Sequence, residues 1–469
     1  MMFSSIAFIV YFLPLVVAIC YVLKYRPVQN LFLLLASLVF YAWGDVQGTV
    51  FLLCSMGVNY LLGVAIANNR RYAKSIMYIG IAFNLCGLIY IKYTGFLLNS
   101  MEWGLFSQLI PSFALPLGIS FYTLLAISYL IEVYRRNVTY PENPVNVGLY
   151  LSFFPTVAAG PIIGYQQFEP QLLRRKETTR AFSTGLCRFV LGLGKKLLIA
   201  NNLAVVADHA FGMSASGAIP MSLAWLGAIS FALQIFFDFS AYSDMAIGLG
   251  RMLGFDLPEN FNYPYTAATM TEFWRRWHMS LMGWFKRYVF IPLGGSRVKN
   301  TDLLIYNLFI VWVLIGMWHG VGWNFFLWGL LQFLAIAAER LLEIFDREEP
   351  YFWQYLYVFF FVCISWTLFR SESLLAAGVY FSSLFGSGGL WSDYVWMFLK
   401  ENLMTYVLAF LFMTPVARRF NTCVVNGVYE RYGKAIMVFY PLFLLLVFLL
   451  SFAVLLKGPY MNAGLAFVR

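Results

Sequence analysis

The chain has 469 residues, of which 61% are hydrophobic and 12% charged, with a mean hydropathy of +0.72. Soluble proteins are about 45–50% apolar and about 25% charged, so this composition excludes a soluble domain and indicates a polytopic membrane protein. The net charge is +10, but the cations lie in short loops between apolar runs, where they determine topology. We therefore expect lipid, and no nucleic acid, around this protein.

The first third of the chain alternates apolar runs with basic loops. Because basic loops stay in the cytoplasm, the cations at Lys24 and Arg26, in 68–74 and at Arg135 all predict an N-terminus on the outer side of the membrane. In a bacterial inner membrane this side is the periplasm. The mixed segment 92–112 predicts an interfacial helix on the outer face. The predicted spans are 2–23, 29–43, 49–67, 76–91 and 116–133.

The next stretch, 149–172, carries Pro155, Gly160 and Pro161 within an apolar setting. Irregular backbone at membrane depth must be buried in protein or line a wet cavity, so we expect a re-entrant or interfacial piece. The basic run 174–180 marks the cytoplasmic surface or is simply a solvated face. A span over 181–200 follows.

A long apolar helix is predicted over 222–250, and it carries Asp238 and Asp244. Gln234, Asp238 and Tyr242 are four residues apart and share one helix face. Carboxylates in such a helix are costly unless they face protein or water. The two carboxylates either form a buried polar network between helices or belong to a functional site. Asn260, shortly after the helix, is a further candidate for such a site.

The segment 271–297 is dense in Trp, Arg and Lys, as is typical of a membrane interface. Thr271 and Glu272 suggest a helix cap. The segment is either an amphipathic interfacial helix or the place where His278 lies on a route to a deeper site. Its candidate site residues are Trp274, Arg275, Trp277 and His278.

The apolar run 302–339 is too long for one span, which needs about 20 residues. Gly316, Gly320 and Gly322 surround His319 and weaken a helix there by roughly 1 kcal/mol each. We predict two helical halves that meet at 318–320, with the imidazole deep in the membrane. An ionisable group in that position either marks a functional site or only hydrogen-bonds a neighbouring helix, and the first interpretation is favoured. The remaining spans are 351–369, 391–415 and 440–456, which gives ten to twelve crossings in one body, 1–469.

Several sequence motifs together resemble the membrane-bound O-acyltransferase superfamily, in its bacterial branch with alginate O-acetyltransferase and the teichoic-acid D-alanyl transfer protein. These motifs cover most of 116–329, whereas the chain ends match only in hydropathy. The motifs are SFFPTVAAGPI (152–162), GLGKKLLIANNLA (192–204), FDFSAYSDMAIGLGRMLGF (237–255), WRRWHMSL (274–281), WFKRYVFIPLGGSR (284–297) and MWHG (317–320).

The resemblance implies an all-α polytopic fold with re-entrant and interfacial helices around a central cavity. It implies that His319 is catalytic and that His278 is a second functional residue. More distant members have asparagine at the position of His278, which argues against His278 as the base. Asp238, Asp244, Asn260, Trp274, Arg275 and Trp277 are expected to bind substrate or support the histidines.

The implied reaction is acyl transfer from a thioester to a hydroxyl, in a bacterial inner membrane. A positioned imidazole accelerates such a step roughly 10²–10⁴-fold by removing the proton of the hydroxyl, so His319 fits a general base. His278 positions the donor or stabilises the developing oxyanion. We expect no permanent cofactor or metal, a donor that is acetyl-CoA or an acyl-carrier phosphopantetheine thioester, and a polysaccharide or periplasmic acetyltransferase partner as acceptor.

Two alternatives remain at this point. One is D-alanyl transfer to teichoic acid from a carrier protein. The other is a transporter in which His319 relays protons, since broken helices near the midplane also mark transport sites. The sequence has no Walker loop, no HExxH and no Ser/His/Asp signature, so NTPase, zinc-protease and hydrolase hypotheses have no support.

Overall fold

The computed structural model describes residues 2–100, 115–138, 143–298, 300–342, 350–416 and 439–457. Within these ranges the chain forms helices and no strands, and ten helices are long and apolar enough to cross a bilayer. The predicted all-α polytopic fold is confirmed. The chain divides into two compact units, Met1–Phe189 with Ser243–Pro258, and Val190–Tyr242 with Glu259–Arg469.

The first unit follows the predicted spans closely, because long apolar runs separated by charged loops leave few alternatives to helix in lipid. Its first span is π-helical over Ala7–Phe12 and then α-helical. The helices are α1 (Leu13–Val22), α2 (Arg26–Gly44), α3 (Val46–Asn68), α4 (Ala73–Ser100), α5 (Ile119–Arg135), α6 (Pro144–Ser152), α7 (Tyr165–Arg174) and α8 (Thr179–Gly194). The interfacial helix expected over 92–112 lies mostly outside the described residues, and its first part continues α4.

The irregular apolar stretch 153–164 separates α6 from α7. Phe153, Phe154, Val157 and Ala159 in it are fully buried, as irregular backbone in an apolar setting requires. The basic run behind α7 is not uniformly solvated. Arg175 is buried, donates to the Gln29 Oε1 over 2.6 Å, and its pKa falls to about 10, chiefly because of desolvation.

The second unit carries the motifs around both histidines. Its π-helical segments are Lys195–Ala200 and Lys286–Phe290, and Pro264–Thr266 forms a 3₁₀ turn. The helices are α9 (Asn201–Ser214), α10 (Met221–Met252), α11 (Met270–Arg276), α12 (Met279–Phe285), α13 (Thr301–His319), α14 (Trp323–Leu342), α15 (Phe352–Arg370), α16 (Leu374–Leu384), α17 (Asp393–Phe412) and α18 (Phe439–Leu456). By residue number, α8 and α10 extend into both units.

The predicted helix over 222–250 is confirmed as α10. It ends just before Gly254, whose φ of +81° is accessible mainly to glycine, and Pro264 opens a separate turn further along the chain. The segment 271–297 is not one amphipathic helix. It breaks at Trp277–His278, and Trp274, Trp277 and Trp284 are buried in protein.

Candidate active site

His319 is the last residue of α13, at the turn of a helical hairpin. The predicted break at 318–320 is confirmed, because Gly320 ends α13 and Gly322, at φ +142°, leads into α14. Each half has 19 or 20 residues and is long enough to cross a bilayer alone. The two halves are therefore complete helices, and a 19-residue helix places His319 about 28 Å from Thr301. The depth of His319 in the membrane stays a prediction.

The hairpin depends on two glycines that let the helices approach closely. A Cβ on Gly316 would lie 2.6 Å from the Phe325 carbonyl oxygen, and a Cβ on Gly329 would lie 2.5 Å from the Trp312 carbonyl oxygen. Any larger residue at either position must push the helices apart. The glycines thus act through close packing as well as through weakening the helix.

Aromatic rings surround the half-buried His319 imidazole. The centroid distances are 5.0 Å to Trp318, 5.1 Å to Trp328 and 5.4 Å to Phe369, each with the planes nearly perpendicular. We call these three rings the aromatic box. Perpendicular pairs at these distances are a preferred geometry between aromatic side chains, so the box fixes the orientation of the imidazole. An imidazole so placed is suited to act as a base.

His278 lies between α11 and α12 and is 1% exposed. Its backbone is left-handed, with φ 44° and ψ 50°, which few residues other than glycine adopt. The ring stacks edge-on against Phe239 at 4.6 Å and lies 6.3 Å from the ring of Trp318. Desolvation, and secondarily the charge of His319, hold the pKa of His278 well below its usual value.

Asn260 fixes the tautomer of His278. The Asn260 Oδ1 lies 3.0 Å from the Nδ1 of His278 and accepts from the Ser280 backbone N–H over 3.2 Å. Because that atom is an acceptor, the His278 Nδ1 carries the proton, and in the neutral ring Nε2 is the acceptor nitrogen. The Asn260 carbonyl also accepts from the Met279 N–H, so this loop holds the strained turn on both sides.

The other candidates on α11 differ in their surroundings. The indole Nε1 of Trp274 donates to the Gln332 Oε1 over 3.2 Å, and its ring contacts Trp312 at 4.8 Å and Trp328 at 5.7 Å. Trp277 packs against Phe273, Phe261 and Trp366. Both tryptophans support the site through packing. Arg275 is exposed.

The start of α11 differs from the prediction. Thr269, and not Thr271, is the cap: its Oγ1 accepts from the Glu272 N–H over 3.0 Å, while the Glu272 Oε2 accepts from the Ala268 N–H. Thr271 instead donates from N and Oγ1 to Glu339, at 3.1 Å each. In the sequence, Glu339 is only the end of the apolar run 302–339. Its spacing of seven from Gln332 is a signal that both lie on one face of a helix.

The two acidic candidates of α10 have separate partners. Asp238 is 1% exposed and forms a 2.8 Å ion pair with Lys196, which belongs to the π-helical segment. Asp244 belongs to the first unit, where its Oδ1 accepts from Nε and Nη2 of Arg188 at 2.9 and 2.8 Å. The structure thus brings Asn260, Trp274 and Trp277 to the histidines and gives both carboxylates salt bridges.

The part of the chain that the structure describes contains no group of three His, Cys, Asp or Glu side chains suited to a metal ion. The residues that meet at the hairpin turn offer one partly accessible imidazole, one buried neutral imidazole and a set of apolar rings. Such a set can move a proton and orient a reactant.

Comparison with known proteins identifies the family. Residues 88–347 match the sequence model of the MBOAT, membrane-bound O-acyltransferase, family. The chain is 39% identical to the probable alginate O-acetylase AlgI of Pseudomonas aeruginosa over 402 residues, 83% of this chain and 75% of that protein. It is 34% identical to the peptidoglycan O-acetyltransferase of Helicobacter pylori over 83% of this chain and 81% of that protein.

A more distant relative is the teichoic acid D-alanyltransferase of Bacillus subtilis, 26% identical over 55% of this chain and 69% of that protein. The matches to the O-acetylating relatives extend well beyond the motifs in 116–329. Matches of this length and identity indicate that the proteins share one fold and one class of reaction. The chain therefore belongs to the membrane-bound O-acyltransferase family and is a multi-pass O-acetyltransferase.

Proposed function

We propose that this enzyme takes an acetyl group from a cytoplasmic thioester and delivers it across a bacterial inner membrane for O-acetylation of an exopolysaccharide of the alginate or cellulose type. The relatives named for O-acetylation of alginate and of peptidoglycan support a polysaccharide acceptor. Membership in a family of acyltransferases favours an enzyme over the proton-coupled transporter. The single observation that carries the proposal is the imidazole of His319 at the hairpin turn, within its aromatic box.

In this mechanism His319 is the general base. Its neutral imidazole accepts the proton of the acceptor hydroxyl while the hydroxyl oxygen attacks the thioester carbonyl. The tetrahedral intermediate then collapses, the carbon–sulfur bond breaks, and the imidazolium returns its proton to the leaving thiolate. The box keeps the imidazole in one orientation during the interval in which His319 holds the proton.

The tautomer of His278 supports a positioning role for that residue. A neutral His278, held by Asn260 and lying beside Trp318, can help to orient the groups around His319. It can donate from Nε2 to an oxyanion only when protonated, and burial disfavours that state. Of the two roles expected for His278, orientation of a reactant therefore fits its surroundings better than stabilisation of the oxyanion.

The donor in this proposal is acetyl-CoA or an acyl-carrier phosphopantetheine thioester. Both carry negatively charged phosphates, which the basic loops on the cytoplasmic side would attract. The acceptor is a polymer hydroxyl or a serine of a periplasmic acetyltransferase partner. Transfer of D-alanine to teichoic acid is the second candidate. The lower identity and coverage of the D-alanyltransferase relative make it the weaker one.

The test is acetyl transfer by the purified protein in lipid, with labelled acetyl-CoA and candidate acceptors. We expect His319→Ala to lose on the order of 10²–10⁴-fold in rate, the usual contribution of a general base. The matched control is His209→Ala, a histidine of the same unit that packs against Tyr394 and Phe398. Normal transfer by His319→Ala, or an equal loss in His209→Ala, would contradict the proposed role.

A further inference from the structure

We infer that Glu339 is a positioning residue that holds α11, and with it His278, against the helix that follows His319. The inference rests on the proposed function, since it concerns how the two histidines of that reaction are kept in register. Glu339 is 7% exposed and lies near the end of α14. Its carboxylate faces the start of α11 in the chain's second unit.

Glu339 supplies acceptors for the first two N–H groups of α11. Its Oε1 accepts from the Met270 N–H over 2.5 Å, and its Oε2 accepts from the Thr271 N–H and the Thr271 hydroxyl over 3.1 Å each. The third N–H group of the helix goes to the Thr269 cap. A carboxylate at this end also complements the partial positive charge of the helix dipole. Tyr357 hydrogen-bonds the same carboxylate from α15.

A second contact fixes α11 along the same face of α14. Gln332 lies seven residues before Glu339, two helical turns away, and accepts from the Trp274 indole. One short helix is therefore bound to α14 at its first residues and again at its middle. Because α11 has seven residues, its far end and the strained turn at His278 lie about 10 Å from the carboxylate.

This arrangement makes α14 the common reference for both histidines. It starts four residues after His319, packs its Trp328 ring against that imidazole, and holds the helix that leads to His278. The Asn260 loop fixes the other end of that helix, through the Asn262 N–H to the Arg276 carbonyl and the contacts to His278. If Glu339 loses its charge, the start of α11 is released and the position of His278 is no longer set by α14.

The test compares Glu339→Gln with Asp45→Asn. Asp45 is a matched control, because its carboxylate also accepts from two backbone N–H groups, those of Gly48 at 2.6 Å and Leu117 at 3.0 Å, in the first unit. Both full-length variants are studied in lipid. The measurements are backbone amide hydrogen exchange, thermal unfolding and the kinetics of acetyl transfer. The exchange experiment needs no substrate.

We expect a similar fall in unfolding temperature for both variants. Only Glu339→Gln should show faster exchange of the amides 270–280. Its kcat should fall at least tenfold while its KM for acetyl-CoA stays unchanged. Asp45→Asn should keep kcat within about twofold of the wild type. Unchanged protection of 270–280, or a similar loss of kcat in both variants, would overturn the inference. If wild-type protein transfers no acetyl group, the proposed function fails, and the exchange result still decides whether Glu339 holds α11.

Discussion

His278 combines a left-handed backbone, near-complete burial and a fixed tautomer in one residue. Each of these costs free energy: the backbone conformation is of the kind that costs roughly 1–3 kcal/mol, and such residues concentrate at functional sites. The hydrogen bonds of the Asn260 loop hold the conformation in place. Burial of a histidine also links the stability of the fold to pH.

The depressed pKa of His278 predicts that stability falls in acid. Unfolded histidine titrates at about 6.5, so above that pH both states are neutral and the stability is complete. Below it the unfolded state binds a proton that the folded state does not, and stability should fall by about 1.4 kcal/mol per pH unit until the folded pKa is reached.

Thermal unfolding in lipid between pH 7.5 and 5 measures this slope. His278→Asn should reduce it, because asparagine tolerates the left-handed backbone and does not titrate. An equal slope in both proteins would assign the pH dependence to other groups.

The Lys196–Asp238 pair is a second residue-scale feature, with both side chains at most 6% exposed. Removal of one partner of a buried pair leaves an uncompensated charge and typically costs 3–5 kcal/mol. We expect Lys196→Met and Asp238→Asn each to destabilise the protein strongly. The double variant should recover much of that loss in thermal unfolding, as a structural ion pair requires. Additive losses in the double variant would show that the two residues act independently.

At the scale of elements, the hairpin of α13 and α14 places His319 beside Trp328. The approach of the two helices leaves no room for a Cβ at Gly329. Helix packing therefore sets the position of the turn and of the aromatic box. A substitution several residues away from His319 should displace the imidazole.

We expect Gly329→Val to lower both the unfolding temperature and acetyl transfer, because the added methyl groups force the Trp312 backbone away. The control is Gly378→Ala in α16, where a Cβ meets nothing within 4 Å. That substitution should be neutral or stabilise the helix by up to about 1 kcal/mol. Calorimetry and rate measurements on both variants separate packing of the hairpin from a general sensitivity to glycine replacement.

At the scale of the whole molecule, the basic loops predict the orientation of the protein in the membrane. The loop around Arg70 and Arg71 comes after three apolar helical runs, Ala7–Val22, Arg26–Gly44 and Val46–Asn68. Three crossings from a periplasmic N-terminus place that loop in the cytoplasm.

An epitope tag at the N-terminus should therefore be cut by protease added to intact spheroplasts, whereas a tag inserted after Arg71 should be cut only after lysis. The opposite pattern would invert the topology and, with it, the proposed direction of acetyl transfer.

The helical membrane class, the bounds of most spans to within a few residues, and the helix break at His319 could all be predicted from the amino-acid sequence. Hydropathy and glycine position are local properties, and in lipid every backbone group must be satisfied within its own helix. The family also followed from local motifs. For these features, neighbouring residues contain the needed information.

The pairing of buried polar groups could not be predicted in this way and depends on how the helices pack. Met270 and Glu339 are 69 residues apart in sequence, and nothing near either residue predicts their hydrogen bond. The same holds for the burial of His278, for its tautomer, and for the separate salt bridges of Asp238 and Asp244. The physical reason is that a buried polar group must find a partner wherever the packed helices provide one, and that partner depends on the arrangement of distant segments.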